Sequence, residues 1–258
     1  LGNWKAREEW NKKSQVELKS WNEYVDKESA PSNQEVPSYV QVIGAIYKNS
    51  DPSDIAVTAA GGLVGEVIQV WRPRELNTHE TEWGFSCMSY EISGALGIKM
   101  ANPDKEVISF VGDGSYLLNN TDIYSSVITN NKLIIIVCDN GGFAVINRLQ
   151  LFKGGNEYNN LLKSSNTPGL VDIDFAKHAE SMGAKSEHVS SISDLEEAFK
   201  RAKKSKVTYV ISIKTHAYQW LEGSAFWDSP TLEVPTTKEN KEALRLYKEG
   251  KSKQRQGV

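Results

Sequence analysis

Two short polar segments each follow an apolar run that has the composition of a buried β-strand. Gly112-Asp113-Gly114-Ser115 comes directly after residues 107–111, and Asp139-Asn140-Gly141-Gly142 comes directly after residues 133–138. The 25 residues between Gly114 and Asn140 are enough for one helix and one returning strand. Because ligands of open parallel sheets bind at the carboxyl ends of the strands, we predict that the two segments lie side by side at one edge of a sheet.

The residue types in these segments suit a divalent cation and a phosphate group. Asp113 offers a carboxylate oxygen and Asn140 an amide oxygen, and Mg²⁺ takes one or two such oxygens from protein and the rest from phosphate and water. Gly114 and Ser115 place free backbone N–H groups at a turn before a helix, where an anion is favoured. Gly112 and Gly114 let the backbone approach a ligand closely. Either segment alone is more often an ordinary turn, but together they predict a metal–diphosphate clamp.

The elements that must position this clamp alternate along the chain. Apolar spacing predicts a helix from Tyr39 to Tyr47, and the other expected elements are strands at 55–58, 107–111, 133–138, about 186–189 and 207–213, with helices at about 119–130, 174–182 and 193–203. Ser193 and Glu196 fit a capping box for the last of these helices. A glycine-rich turn is expected at residues 60–63. This order predicts an α/β fold with a doubly wound, mostly parallel sheet and helices on both faces.

The sequence divides the chain into three parts. Residues 1–35 are expected to form a linker or peripheral helix, residues 36–235 the ligand-binding domain, and residues 236–258 a charged tail with a surface helix.

Composition and charge limit the classes of function. The net charge of −3 favours neither a nucleic-acid nor a membrane partner. No apolar stretch reaches the roughly 18–20 residues of a membrane span. Cys87 and Cys138 lie in apolar runs and are predicted to be reduced core residues of a cytoplasmic protein. The start at Leu1 suggests a piece of a longer chain.

The spacing of Gly112-Asp113-Gly114 and Asn140 resembles the signature of thiamine-diphosphate enzymes. In that family the Asp, the Asn and a backbone carbonyl two residues after the Asn hold the Mg²⁺ that bridges the cofactor's diphosphate. The resemblance therefore implies Asp113, Asn140 and the carbonyl of Gly142 as metal ligands. It extends from about Val36 to Ile213, in the order of the diphosphate-binding domain of the acetolactate-synthase-like branch.

Two further segments match cofactor-binding segments of that family. Residues 58–63 correspond to an upstream loop that touches the diphosphate. Residues 84–88 correspond to the segment whose bulky apolar residue wedges under the cofactor, a role that falls to Met88 here unless it is a simple core methionine. The cofactor-binding residues that the resemblance implies are Ala60, Gly61, Gly62, Leu63, Ser86, Met88, Gly112, Gly114, Ser115, Phe143, Ala144 and Val145.

Departures from acetolactate synthases point to a narrower family. Gly62-Leu63 stands where those synthases have Gln-His, Asp139-Asn140 where they have Asn-Asn, and Ala144 where they have a glycine. Residues 82–91, 143–150 and 154–162 are similar instead to the trihydroxycyclohexane-1,2-dione hydrolases of inositol breakdown, which open a cyclic dione by C–C bond cleavage. The alternatives are a carboligase or decarboxylase of the same superfamily and a non-catalytic module that senses a phosphate or nucleotide.

The same resemblance implies that this chain holds only half of an active site. The glutamate that activates the cofactor lies on a separate N-terminal domain in that family, usually of a neighbouring subunit, and no segment here matches that domain. A homodimer or homotetramer is therefore expected. The catalytic residues stay open, with His79 as an acid–base candidate.

Other polar side chains also have expected roles. Arg148 and Gln150 are candidates for contacts to substrate hydroxyls, and a surface salt bridge is the alternative for Arg148. His178 and His188 are expected to be structural residues, and His216 is a candidate site residue.

Overall fold

A computed structural model describes residues 5–32, 34–167, 169, 171–222 and 231–254. The strands of the described chain are β1 Ile55–Thr58, β2 His79–Thr81, β3 Val107–Gly112, β4 Ile134–Asp139, β5 Lys185–Val189 and β6 Tyr209–Lys214. The helices are α1 Glu8–Glu28, α2 Tyr39–Asn49, α3 Gly61–Val70, α4 Tyr90–Ala101, α5 Asp113–Leu118, α6 Asp122–Ile128, α7 Ala144–Phe152, α8 Phe175–Ser181, α9 Ile192–Lys204 and α10 Lys238–Ser252, with a 3₁₀ turn at Leu162–Ser164.

The strands form one six-stranded sheet in the order β2-β1-β3-β4-β6-β5, and every pairing is parallel. Alternate residues of the strands point to two separate cores. Helices α2, α3 and α9 cover one face, where Ile43, Val67 and Phe199 are buried. Helices α4, α6 and α8 cover the other, where Ile92 and Ile123 are buried. The predicted doubly wound parallel sheet is confirmed. Its inner strands β1, β3, β4 and β6 are largely apolar because both of their faces are covered, whereas the edge strands β2 and β5 are polar and more exposed.

The strand register brings the two polar segments together. Strand β3 pairs with β4 so that Gly112 lies opposite Cys138, and β1 flanks β3 on its other side. All three strands therefore end at the same edge of the sheet. The prediction that the two polar segments lie side by side is confirmed. The start of helix α3, which follows β1, lies at the same edge.

Several elements differ from the sequence-based expectation because tertiary packing overrides local propensity. The glycine-rich stretch expected to be a turn is the first turn of α3, and Asp113 begins helix α5 instead of lying in a turn. Helices α4 and α7 and the edge strand β2 were not predicted. The cap of α9 is Ser191, whose hydroxyl oxygen accepts a 3.0 Å hydrogen bond from the backbone N–H of Asp194, so the proposed capping box is wrong.

The two ends of the described chain are helical. Helix α1 buries only Val25, which agrees with a peripheral helix, and α10 agrees with the surface helix expected in the charged tail. One cysteine prediction was wrong: Cys138 is buried, but Cys87 is exposed because it lies in the irregular segment before α4. No described helix combines the length and the apolar character of a membrane span.

Candidate functional site

Every residue predicted to contact cofactor or metal lines a single cavity of about 210 Å³ at the carboxyl ends of β1, β3 and β4. Tyr39 and Ile146, which the sequence did not single out, line it as well. The predicted residues found there are Ala60, Gly61, Gly62, Leu63, Ser86, Met88, Gly112, Asp113, Gly114, Ser115, Asn140, Gly142, Phe143, Ala144 and Val145. The structure thus brings together predicted residues from four separate stretches of chain, and Tyr39 adds a fifth.

The three residues predicted to ligate the metal, Asp113, Asn140 and Gly142, all line the cavity. Asp113 is buried, and its Oδ2 accepts a 2.7 Å hydrogen bond from the backbone N–H of Gly142. Burial, and secondarily the neighbouring carboxylate of Asp139, raise the pKa of Asp113 well above its usual range. Asn140 donates from Nδ2 to the hydroxyl of Tyr39, while its Oδ1 is buried and has no hydrogen-bond partner in the described part of the chain. A buried acceptor beside a destabilised carboxylate fits a cation with oxygen ligands.

Asp139 organises the turn that carries Asn140 and Gly142. Its Oδ1 accepts a 3.0 Å hydrogen bond from the N–H of Gly141, and its Oδ2 forms a 2.6 Å ion pair with Lys214 at the end of β6. Gly142 has φ of 138°, and a Cβ there would lie 2.5 Å from the backbone oxygen of Asn160. Position 142 of this turn therefore requires glycine. The positive charge of Lys214 offsets the negative charge of Asp139, which is the second carboxylate near the site. Sequence reasoning missed Lys214 because it lies 75 positions from Asp139.

The cavity also presents the starts of three helices. Helix α3 begins at Gly61, α5 at Asp113 and α7 at Ala144. The first-turn N–H groups of a helix have no intrahelical partner and carry partial positive charge, which favours an anion. Two of the residues at these helix starts are glycines whose surroundings leave little room for a side chain. A Cβ at Gly62 would lie 2.7 Å from Cζ3 of Trp220, and a Cβ at Gly114 would lie 2.5 Å from Cε1 of Phe143. The backbone arrangement fits a diphosphate.

A fully buried carboxyl group, that of Glu91 in α4, ties these segments together. It accepts hydrogen bonds from the N–H of Ala60 at 3.3 Å and the hydroxyl of Ser115 at 2.7 Å. The Ser115 oxygen in turn accepts a 2.6 Å hydrogen bond from the N–H of Ser89. Burial raises the pKa of Glu91. Glu91 has no distinctive signal in the sequence, because α4 also contains the charged Lys99, and sequence reasoning did not use it.

The segment before α4 supplies Ser86 and Met88. Met88 is half-buried and lines the cavity, so the alternative of a simple core methionine is not what the structure shows. Ser86 adopts the left-handed conformation with φ of 52°. The wedge role of Met88 stays a prediction.

The remaining candidates all lie outside the cavity lining. His79 lies on the edge strand β2, where burial lowers its pKa and its Nε2 is buried without a partner. Arg148 stacks over the ring of Trp220 at 4.7 Å, and within the described part of the chain it forms no salt bridge, which was the alternative to a substrate contact. Gln150 accepts a hydrogen bond from Asn160. The other histidines bond to neighbouring groups: His178 to Tyr116, His188 to Ser212 and His216 to the backbone of Tyr218. The acid–base role of His79 stays a prediction.

Glu66 is a second buried carboxyl group close to the site. It lies in α3, is 2 % exposed, and both of its oxygens accept hydrogen bonds from the N–H of Leu221 at 3.2 Å. Burial raises its pKa to about 7, although these hydrogen bonds and the positive charge of Arg148 act in the opposite direction. The group thus connects α3 to the segment that follows β6.

Replacing Glu66 with Gln is expected to raise the free energy of unfolding at pH 8 by up to about 3 kcal/mol and to change it little at pH 4.5. The folded-state pKa, about 7, lies above the ordinary value of 4.5. The stability of the unsubstituted chain should therefore fall as pH rises between these values and level off above 7, and Gln lacks this titration. Urea unfolding across that range measures the effect, with exposed Glu75→Gln as the control; parallel pH profiles for Glu66→Gln and the unsubstituted chain would contradict it.

Comparison with known proteins identifies related chains. A family model described as the thiamine pyrophosphate enzyme, C-terminal TPP binding domain matches residues 59–213. The 3D-(3,5/4)-trihydroxycyclohexane-1,2-dione hydrolase of Bacillus licheniformis is 34 % identical over 228 residues, which cover 88 % of this chain and 34 % of that protein. The protein of the same name from Bacillus cereus is 38 % identical over 212 residues, 80 % of this chain and 32 % of that one. This chain thus spans about a third of the length of these relatives.

Solved structures share the fold. The thiamine diphosphate-dependent 4-hydroxybenzoylformate decarboxylase of Rhodococcus jostii RHA1 matches with a TM-score of 0.62 and 22 % identity, covering 72 % of this chain and 34 % of that one. The benzoylformate decarboxylase of Polynucleobacter necessarius matches with a TM-score of 0.59 and 21 % identity, covering 70 % and 33 %. At such identity the likeness shows the fold alone.

Proposed function

Because this chain belongs to the thiamine pyrophosphate enzymes, through their C-terminal TPP-binding domain, we propose that its cavity binds thiamine diphosphate together with Mg²⁺. The main support for the metal is the buried Oδ1 of Asn140, which has no hydrogen-bond partner among the described residues. Asn140 lines the same cavity as Asp113. A buried acceptor without a donor is costly unless something occupies its position. Mg²⁺ would satisfy both oxygens at once.

In this proposal each part of the cavity has its own role. Asp113, Asn140 and the carbonyl of Gly142 hold the metal. The starts of α3, α5 and α7 receive the diphosphate, for which Gly61, Gly62, Gly112, Gly114 and Ser115 leave room and supply N–H groups. The other residues predicted from the sequence contact the organic part of the cofactor: Ala60, Leu63, Ser86, Met88, Phe143, Ala144 and Val145. The cofactor-binding domain comprises residues 36–235.

For the whole enzyme we propose hydrolytic ring opening of a trihydroxycyclohexane-1,2-dione by C–C bond cleavage. This rests on the names of relatives 34–38 % identical to this chain. When bound, thiamine diphosphate supplies the nucleophile and the electron sink that such a cleavage needs. The residues of this chain bind and orient it through metal and diphosphate. The glutamate that activates it and part of the substrate site would belong to the N-terminal domains of the same protein.

An assembly of two or four copies follows from that division of the active site. Large apolar side chains are exposed beside the cavity segments, among them Phe85 at 91 % and Leu118 at 62 %. Exposed apolar surface of this kind marks protein–protein contacts, which supports docking of the N-terminal domains there. Both described cysteines are free thiols, which supports a cytoplasmic location.

Thiamine diphosphate with Mg²⁺ is expected to raise the melting temperature of this chain by about 5–10 °C at a ligand concentration near 100 times Kd. Differential scanning fluorimetry measures the shift, with EDTA as the control that should remove it. ATP with Mg²⁺ should give a much smaller shift. A shift with ATP alone would favour the non-catalytic nucleotide sensor and contradict the proposed cofactor.

A further inference from the structure

Tyr39 joins the start of helix α2 to the turn that carries the proposed metal ligand Asn140. Its side chain is 4 % exposed and lines the cavity, and its hydroxyl oxygen accepts a hydrogen bond from Nδ2 of Asn140. The two residues are 101 positions apart in the sequence. None of the roles described so far uses this contact.

The contact matters because the two ends of an asparagine amide are not equivalent. The oxygen can bind a cation, whereas the NH₂ group can only donate hydrogen bonds. With Nδ2 bonded to Tyr39, Oδ1 is left buried and free of protein partners. This is the orientation that a metal ligand requires. If the Tyr39 oxygen were absent, the NH₂ group would have no acceptor there, and the orientation would lose its stabilisation.

The position of the Tyr39 hydroxyl is itself fixed from two sides. Tyr39 is the first residue of α2, and Ser38 and Gln41 form a reciprocal capping box at that helix start. Its ring meets the ring of Trp220 edge to face, with centroids 6.3 Å apart, and the guanidinium of Arg148 lies 4.7 Å over the same Trp220 ring. Arg148, considered as a substrate contact from the sequence, therefore supports the wall behind Tyr39.

We infer that Tyr39 is a positioning residue for the metal site: by accepting a hydrogen bond from Nδ2 of Asn140, it holds Oδ1 toward the bound cation. The inference rests on the proposed function, since it takes Asn140 as a metal ligand. Outer groups that orient metal ligands typically contribute ten- to a hundredfold in metal affinity.

The test is a titration of this chain with Mn²⁺ in the presence of thiamine diphosphate, followed by electron paramagnetic resonance of the free ion. Tyr39→Phe keeps the ring and removes only the oxygen, so Mn²⁺ affinity should fall about ten- to a hundredfold, with unchanged circular dichroism. Tyr47→Phe is the matched control, because Tyr47 lies on the same helix and packs against Trp71 away from the cavity. That variant should bind Mn²⁺ as the unsubstituted chain does.

A second background separates orientation from general damage to the fold. In Asn140→Asp both side-chain oxygens are acceptors, so no orientation has to be selected. Adding Tyr39→Phe to Asn140→Asp should therefore cost less than threefold in Mn²⁺ affinity. An unchanged affinity of Tyr39→Phe alone, or an equal loss in both backgrounds, would overturn the inference and leave the proposed function standing. If the unsubstituted chain bound no Mn²⁺ with the cofactor, the proposed function would fall, and the inference with it.

Discussion

Replacing Asp113 with Ala is expected to abolish Mg²⁺-dependent binding of thiamine diphosphate to this chain while leaving the fold intact. The carboxylate is the only charged side chain among the three proposed metal ligands, and a hard cation depends on it. Asp113→Asn, which keeps an acceptor for the N–H of Gly142, should still weaken binding at least a hundredfold, or about 2.7 kcal/mol. Isothermal titration calorimetry with and without Mg²⁺ measures the loss.

The fold should survive these substitutions for an electrostatic reason. Burial and the neighbouring Asp139 raise the pKa of Asp113 well above its usual range, so at pH 8 its ionised form costs folding free energy that Asn does not. Urea unfolding of the ligand-free chain at pH 8 should therefore show Asp113→Asn to be at least as stable as the unsubstituted chain. Asp104→Asn, at an exposed position, serves as the control for both measurements. Unchanged cofactor affinity in Asp113→Ala would show the metal assignment to be wrong.

The second large effect concerns turnover: these 258 residues alone are expected to show no detectable hydrolysis of trihydroxycyclohexane-1,2-dione. The proposed clamp supplies metal and diphosphate contacts, whereas the activating carboxylate is assigned to an N-terminal domain. Without that domain the pyrimidine half of the cofactor would stand in water, which should also weaken cofactor binding. Adding the N-terminal domains of the same protein should restore the reaction, whether they are supplied as a separate polypeptide or joined to this chain.

The controls for the experiment that restores activity are substitutions inside and outside the proposed metal–diphosphate clamp. In the restored enzyme, Asp113→Ala should remain inactive, and Asp104→Asn should be as active as the unsubstituted protein. A coupled assay of dione loss measures all of these proteins, with the chain alone as the baseline. Ring opening by the chain alone at a rate like that of the restored enzyme would disprove a divided active site.

The fold and the centre of the candidate site could be read from the sequence because their signals are local. Continuous apolar runs at 107–111 and 133–138 predict strands covered on both faces, and polar residues directly after them must lie at the carboxyl edge of the sheet. Asp113 and Asn140 were found in this way. The resemblance added positions such as Gly62 and Met88, which line the same cavity in the structure.

What the tertiary structure alone decided depends on contacts between distant residues. Helix α3 starts in two glycines, a sequence typical of a turn, and forms because its apolar side packs on the sheet beside α2. The partners of the site residues are equally remote: Glu91 bonds to Ala60 across 31 positions and Asn140 to Tyr39 across 101. A buried polar group forms its hydrogen bond with whichever segment the tertiary fold places next to it. The residues around that group in the sequence do not indicate which segment this is. Hence the sequence alone predicted the candidate metal ligands Asp113 and Asn140. It did not predict Tyr39 and Glu91, which hold the segments of the site in place.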